Sequence, residues 1–152
     1  SGKDLRYFEE ETKERFLPHV IEPSAGVERI MLALLFDAYS EEGDRIVLKL
    51  HPRLAPYKVA VFPLLANKPE LVELAESVYQ DLKGGFVVAW DDRGNIGKRY
   101  FSQDEIGTPY CITVDFDSLE KQDVTVRDRD SMKQERVSIK ELSSHLQRKI
   151  TQ

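Results

Sequence analysis

Glu22-Pro23-Ser24-Ala25-Gly26 stands directly ahead of an apolar run, Val27 to Leu35, that contains Arg29. A carboxylate, a hydroxyl and a guanidinium in one short stretch can hold an ammonium group, line a small pocket and grip an anion. Pro23 biases the residue before it toward extended backbone, which lets the Glu22 carboxylate point away from the helix that follows. On the residues alone, Glu22 is either a solvated acid beside a helix N-terminus or a ligand for a cation. Ser24 is likewise either an ordinary helix cap or a pocket wall. Gly26 lets another backbone or a ligand approach closely. Arg29 sits one turn into the run among Val27, Ile30 and Met31. There it must snorkel, pair or bind an anion, and its fork of donors suits a phosphate.

These groups need a helix to hold them. Val27, Ile30, Met31, Leu34 and Leu35 recur at helical spacing, which predicts a helix from about Ala25 to Tyr39. Leu32, Ala33 and Phe36 make it apolar on its other side too, so it calls for a covering partner that this chain does not fully supply. Upstream, RYFEEETKERFLPHVIE predicts a hairpin, with Tyr7, Phe8, Phe16, Val20 and Ile21 flanking a charged turn. Downstream, SEEGDRIVLKLHPRLAPYK holds a Gly-Asp turn, a short run and two prolines, which places the boundary of a second unit near Leu50 to Tyr57.

From there strands and helices interleave. KVAVFPLL reads as a strand, and KPELVELAESVYQDLKGG as a helix with Leu71, Leu74, Ala75, Val78 and Leu82 on one face and two glycines to stop it. FVVAWDD is a strand, NIGKRYFSQDEIG a short helix and turn, YCITVDFD and DVTVRDRD two further strands. SIKELSSHLQRKI closes as a helix, with Ser138 as cap for Glu141. Only SLEKQ separates the last two strands, short enough for an antiparallel pair, so the fold class is α/β with a mixed sheet layered with helices.

Composition narrows the function. With 41% hydrophobic and 32% charged residues, the chain reads as an ordinary globular protein without an apolar run near the roughly 20 residues of a membrane span. The formal charge of −5 argues against a sequence-blind DNA binder. The first residues lack both an initiator methionine and a signal-like apolar run, so the chain reads as a piece of something longer. Cys111, the single cysteine, reads as a small buried hydrophobe in a reducing cytoplasm. His19, His51 and His145 have no acid or cysteine at ligand spacing, which implies no metal site. The acids of DFD and DRD read as solvated, and GNIGKRY does not fit a phosphate-binding loop.

EPSAGVER followed by IMLALL resembles the third signature motif of class II aminoacyl-tRNA synthetases, in the form found in dimeric glycyl-tRNA synthetases. KDLRYFEEETKERFLPHV before it, and KLHPRLAPYKVAVFPL, NIGKRYFSQDEIGTPYCITVDFD and VTVRDRDSMKQER after it, resemble the same family in the same order. The resemblance implies that Glu22 recognises the ammonium group of glycine, that Pro23, Ser24, Ala25 and Gly26 shape the glycine pocket, and that Gly26, Val27, Glu28 and Arg29 lie on the ATP side. Arg29 would contact the triphosphate while the glycine carboxylate attacks the α-phosphorus. Glycine offers no side chain to grip, so selection rests on paired charge and steric exclusion of larger amino acids.

The first two motifs of a class II catalytic domain have no match here, so the resemblance assigns no catalytic residue and implies that this chain alone does not aminoacylate. It divides the chain into residues 1–49, the end of a catalytic domain, and 50–152, an anticodon-binding domain. ATP and Mg²⁺ would be substrates of the full enzyme, with none held tightly by this piece. The implied partners are tRNA(Gly), glycine, ATP and, in the full-length protein, a second copy, in the cytoplasm and away from membranes. Splayed anticodon bases are read by stacking and hydrogen bonding, which makes Asn95, Lys98, Arg99, Tyr100, Arg127 and Arg129 the candidates for tRNA. Each also has a plainer reading: Lys98 and Arg99 as surface charge, Arg127 and Arg129 paired with Asp128, Asp130 or Glu135, Trp90 and Tyr100 as core. The rival function is a non-catalytic RNA-binding or accessory module, which would have no need of Glu22 and Arg29. A synthetase for threonine, proline or histidine fits EPSAG less well.

Overall fold

The computed structural model describes residues 2–151. They form two compact units, one up to Met31 and one from Leu32 onward. In the first, β1 (Tyr7–Phe8) pairs antiparallel with β2 (Arg15–Phe16), Tyr7 opposite Phe16. These two rings meet edge to face at 5.9 Å, and the Glu9 amide closes the charged turn on the Glu14 carbonyl at 2.9 Å. The hairpin is therefore present, but Val20 and Ile21 lie beyond it in exposed irregular backbone. α1 (Val27–Ala38) follows, and among its described residues Ala38 alone is buried.

The second unit takes in the rest of α1, from Leu32, and then a hairpin of β3 (Tyr39–Glu42) and β4 (Arg45–Leu48), joined by Gly43-Asp44 with Gly43 at φ +62. A two-residue turn with a left-handed glycine first matches the twist of the strands it joins. Sequence reading saw the turn and one short run but not the pair of strands, because Tyr39-Ser-Glu-Glu carries little strand propensity. β4 packs on a later helix, so the boundary expected near Leu50 falls inside this compact unit.

The main sheet follows from β5 (Val59–Pro63), α2 (Pro69–Lys83), β6 (Val88–Trp90), α3 (Ile96–Ile106), β7 (Tyr110–Val114), α4 (Phe116–Lys121), β8 (Asp123–Asp128), β9 (Gln134–Ser138) and α5 (Ile139–Thr151). Its strand order is β6-β5-β7-β8-β9; β5 runs parallel to β6 and β7, while β7/β8 and β8/β9 are antiparallel. The mixed sheet is as expected, but β9 is a strand that sequence reading missed. Gln134-Glu-Arg offers no apolar alternation, and its outer edge is exposed.

Alternation divides the sheet into two faces. Val59, Val61, Ile112, Val114, Val124 and Val126 face Leu71, Ala75 and Val78 of α2 and Leu142 and Leu146 of α5, all of them buried. Ala60, Phe62, Ala89 and Cys111 face Ile96 and Tyr100 of α3. Each large aliphatic side chain buried in this way stabilises the fold by roughly 1.5–3 kcal/mol. Cys111 is 1% exposed, and burial pushes its thiol well above the usual range, in line with the small-hydrophobe reading.

α2 stops at its two glycines as expected: Gly84 caps it in a right-handed conformation (φ −65), and the Gly85 and Phe86 amides both donate to the Leu82 carbonyl at 3.0 Å. Two other local expectations change. The SLEKQ connection winds into α4, whose capping box is Asp115 with Ser118. Ser138 ends β9 directly ahead of α5, but among the described residues its side chain makes no capping hydrogen bond to Glu141. No helix among the described residues is long and apolar enough to cross a membrane.

Candidate nucleic-acid interface

The chain leaves β5 for β6 on one side and returns through α3 to β7 on the other, so connections diverge between β5 and β7. At such a reversal the carboxyl ends of the strands open a crevice that ligands use. Here those ends are Pro63-Leu64 and Val114-Asp115, held together by the Leu64 amide on the Val114 carbonyl at 2.8 Å. The start of α3 forms the third wall. A groove of about 490 Å³ runs from Leu64, Ala66 and Asn67 to Asp92, Asn95 and Ile96. Leu64 and Ile96 also border a second hollow of about 210 Å³, lined by Tyr100, Thr113, Asp115, Thr125 and Gln134. Together they offer the size and the mix of apolar floor and few polar groups that a planar ligand needs.

The polar groups are fixed in place. The Tyr100 hydroxyl and Thr113 Oγ1 are 2.6 Å apart, and the Tyr100 ring meets Phe62 edge-on at 5.8 Å. Burial raises the Tyr100 hydroxyl above its ordinary pKa, so it stays protonated. Burial pulls the Asp115 carboxyl upward, but Arg136 at 2.5 Å and the Ser118 hydroxyl and amide outweigh it and leave a net lowering. Asp115 therefore presents a settled negative acceptor at the groove. Thr113 and Thr125 face each other across β7 and β8.

The six residues expected to meet RNA divide sharply. Asn95 caps α3 by accepting the Lys98 amide at 2.9 Å, and it lines the groove. Lys98 is exposed, and Tyr100 is half-buried in the hollow. Arg99, read alternatively as surface charge, is 2% exposed instead. Its guanidinium donates to the carbonyls of Pro63 (2.6 Å), Gly94 (2.9 Å), Asp92 and Arg93 (both 3.0 Å), so it is a part of the groove wall that also ties the neighbouring loops together. Arg127 pairs with Asp104, not with the neighbouring acids, through two bonds of 2.9 and 3.1 Å. Arg129 takes Asp130 as expected, and also donates to the carbonyls of Gly107 and Leu50 at 2.8 and 2.9 Å. The three buried arginines are thus committed inside the fold. Trp90 is half-buried against Tyr79, with ring centres 5.7 Å apart.

Thr113, Asp115, Thr125 and Gln134 were not singled out from the sequence. The signal was present in phase: Val124 and Val126 alternate with Thr125 and Arg127, which puts the latter pair on the α3 face. What was missing was the register that sets Thr125 against Thr113.

In the first unit, Glu22, Pro23, Ser24, Ala25, Gly26, Val27, Glu28 and Arg29 form one continuous exposed stretch. α1 begins at Val27 and the Ile30 amide bonds the Gly26 carbonyl at 3.1 Å, so Gly26, not Ser24, stands at the cap position. Among the described residues, Glu22, Ser24 and Arg29 make no side-chain hydrogen bond.

A family model described as an anticodon binding domain matches residues 58–149. The chain belongs to the anticodon-binding domain family. The match takes in the whole main sheet and both faces of the groove. Over 99% of its length the chain is 54% identical to a glycine–tRNA ligase of Clostridium acetobutylicum. It is 57% identical over 93% to one of Malacoplasma penetrans, and 52% identical over 96% to one of Streptomyces coelicolor. The chain spans about a third of the length of these relatives, 33%, 31% and 34% respectively. A crystal structure of a prolyl-tRNA synthetase from Cryptosporidium parvum, complexed with halofuginone and AMPPNP, superposes with a TM-score of 0.64 and 28% identity, covering 68% of this chain and 22% of that one. Similarity to the ligases therefore extends through the EPSAGVER segment as well as the anticodon-binding domain.

Proposed function

We propose that this chain is the C-terminal part of a glycine–tRNA ligase: residues 1–49 complete the amino-acid and ATP site of a class II catalytic domain, and residues 50–152 read the anticodon loop. The observation that carries this reading is the level of identity to glycine–tRNA ligases, 54% over 99% of the chain, which spans both segments. In the assembled enzyme Glu22 pairs with the ammonium group of glycine, and Pro23, Ser24, Ala25 and Gly26 wall the pocket so that larger amino acids clash. Gly26, Val27 and Glu28 lie along ATP, and Arg29 offers fixed positive charge to its phosphates, which arrive with Mg²⁺. The remainder of the longer protein covers the apolar sides of α1.

The groove between β5, β7 and α3 is the anticodon site. A base stacks on the half-buried Tyr100 ring and meets Asp115, Thr113 and Gln134 at its edge, while Asn95 and Lys98 face the adjoining backbone. Arg99, Arg127 and Arg129 shape this surface from within and do not touch RNA.

The test uses the full-length ligase that contains this segment. Glu22→Gln is expected to abolish glycine-dependent ATP–pyrophosphate exchange while tRNA binding persists. Arg29→Ala should impair the exchange with a raised KM for ATP. Exchange that proceeds normally in Glu22→Gln would refute the assignment of the glycine site.

A further inference from the structure

We propose that the β3–β4 hairpin sets the position of Tyr100 in the groove through a buried relay, Arg45–Asp104–Arg127, so that these three are positioning residues for RNA. The inference rests on the anticodon-loop reading above.

Asp104, at the centre, is fully buried. From the hairpin side, Arg45 donates to it at 3.1 Å, and from β8 Arg127 engages both its oxygens at 2.9 and 3.1 Å. Two guanidiniums on one carboxylate leave an excess of positive charge at Asp104, and Glu42 supplies a second carboxylate to Arg45 at 2.5 Å; Lys49 also pairs with it at 2.5 Å. The hydrogen bond from Lys49, and then that from Arg45, lowers the Glu42 carboxyl to about 2. On its other side Arg127 stacks on Tyr100, its Cζ 4.8 Å from the ring centre. A charge over a ring face attracts it, and this arrangement fixes one side of the aromatic surface that the groove presents.

The relay has no slack. Arg45 also donates to the Arg129 carbonyl at 3.0 Å, and Arg129 is tied to Leu50 just after β4. A fork-to-fork arginine–carboxylate pair accepts few alternative geometries, so a shift of Arg45 is passed to Arg127 and then to the ring. Lysine in place of Arg45 keeps the charge but cannot reach Asp104, Glu42 and the Arg129 carbonyl together.

The experiment titrates this chain with a glycine-tRNA anticodon stem-loop, using the wild type, Arg45→Met, Tyr100→Ala and the double variant at two salt concentrations. Tyr100→Ala is expected to weaken binding roughly 5- to 150-fold, the range for loss of one stacked base. Arg45→Met, which leaves the Asp104–Arg127 pair intact, is expected to weaken it about 3- to 10-fold. Its salt dependence should match the wild type, since no phosphate contact is removed. In the Tyr100→Ala background it should cost nothing more, the mark of two residues acting through one another. Thermal unfolding checks that each variant folds; if Arg45→Met does not, Arg45→Lys takes its place in the same cycle. Unchanged binding by a folded Arg45 variant, additive losses, or a shallower salt slope would each overturn the relay while leaving the groove intact. A wild-type chain that does not bind the stem-loop would instead remove the anticodon reading, and the relay with it.

Discussion

Arg99, Arg127 and Arg129 each carry charge out of reach of water, and each is satisfied differently: by four carbonyls, by a forked carboxylate, and by a mixture of the two. A buried cation that loses its partners is costly, and a planar fork is not replaced by an ammonium. Arg99→Lys is therefore expected to lower unfolding stability by about 3 kcal/mol, since hydrogen bonds to charged groups contribute about 1.5–3 kcal/mol each; chemical denaturation measures it, and a loss below 1 kcal/mol would contradict the wall-building role. Lys98→Ala, one residue away and exposed, should leave stability within about 0.5 kcal/mol of wild type. Composition does not separate these neighbours. Helical phase does: Arg99 shares a face with Ile96, Tyr100, Gln103 and Asp104, and that face is turned inward. It stayed illegible because a helix face rich in polar groups ordinarily points to solvent. Cys111 was legible because its flanks alternate as a buried strand does.

Between elements, β4 meets the end of α3 at close quarters. Gly107 caps that helix at φ +86, and a Cβ there would stand 2.8 Å from the Leu48 carbonyl oxygen. Alanine meets both a strained backbone and a backbone clash, so Gly107→Ala should destabilise by about 2–4 kcal/mol and loosen the β3–β4 hairpin. A thermal midpoint unchanged in that variant would refute the close packing. The hairpin is also acid-sensitive. The Glu42 carboxyl sits at about 2 in place of its ordinary 4.5, so its pairing is fully present above 4.5 and is lost as pH falls toward 2. A carbon-detected NMR titration should find its midpoint near 2, with hairpin amides exchanging faster below it; a midpoint at 4.5 would show that the Lys49 and Arg45 contacts do not persist in solution. β5 and β7, near-continuous apolar runs, and β8, which alternates, were legible from the sequence. β3, β9 and α4 were not, because each is short and is held by pairing with an element already in place, not by its own propensity.

The whole chain combines a packed anticodon-binding domain with a helix whose apolar sides lie open. Leu32, Leu35, Phe36 and Tyr39 line a hollow of about 340 Å³, and Phe36 is 76% exposed. Apolar patches of this kind seek cover, so the isolated chain should self-associate weakly, with a weight-average mass that rises with concentration in sedimentation. A clean monomer over a wide range would argue against it. The order of the blocks, from EPSAGVER to VTVRDRDSMKQER, made the family and the class of fold legible in one dimension. The groove was not, because Leu64, Asp115 and Gln134 come from elements other than the α3 of Asn95 and Tyr100 and meet them only when the sheet reverses direction. The most direct test of that groove is a titration of the wild-type chain with a glycine-tRNA anticodon stem-loop beside one with an altered anticodon, at two salt concentrations. Tighter binding of the matched loop, at both salts, is the result predicted here. Equal binding of the two loops, or binding that vanishes with salt for both, would contradict a sequence-reading site at the end of β5 and β7.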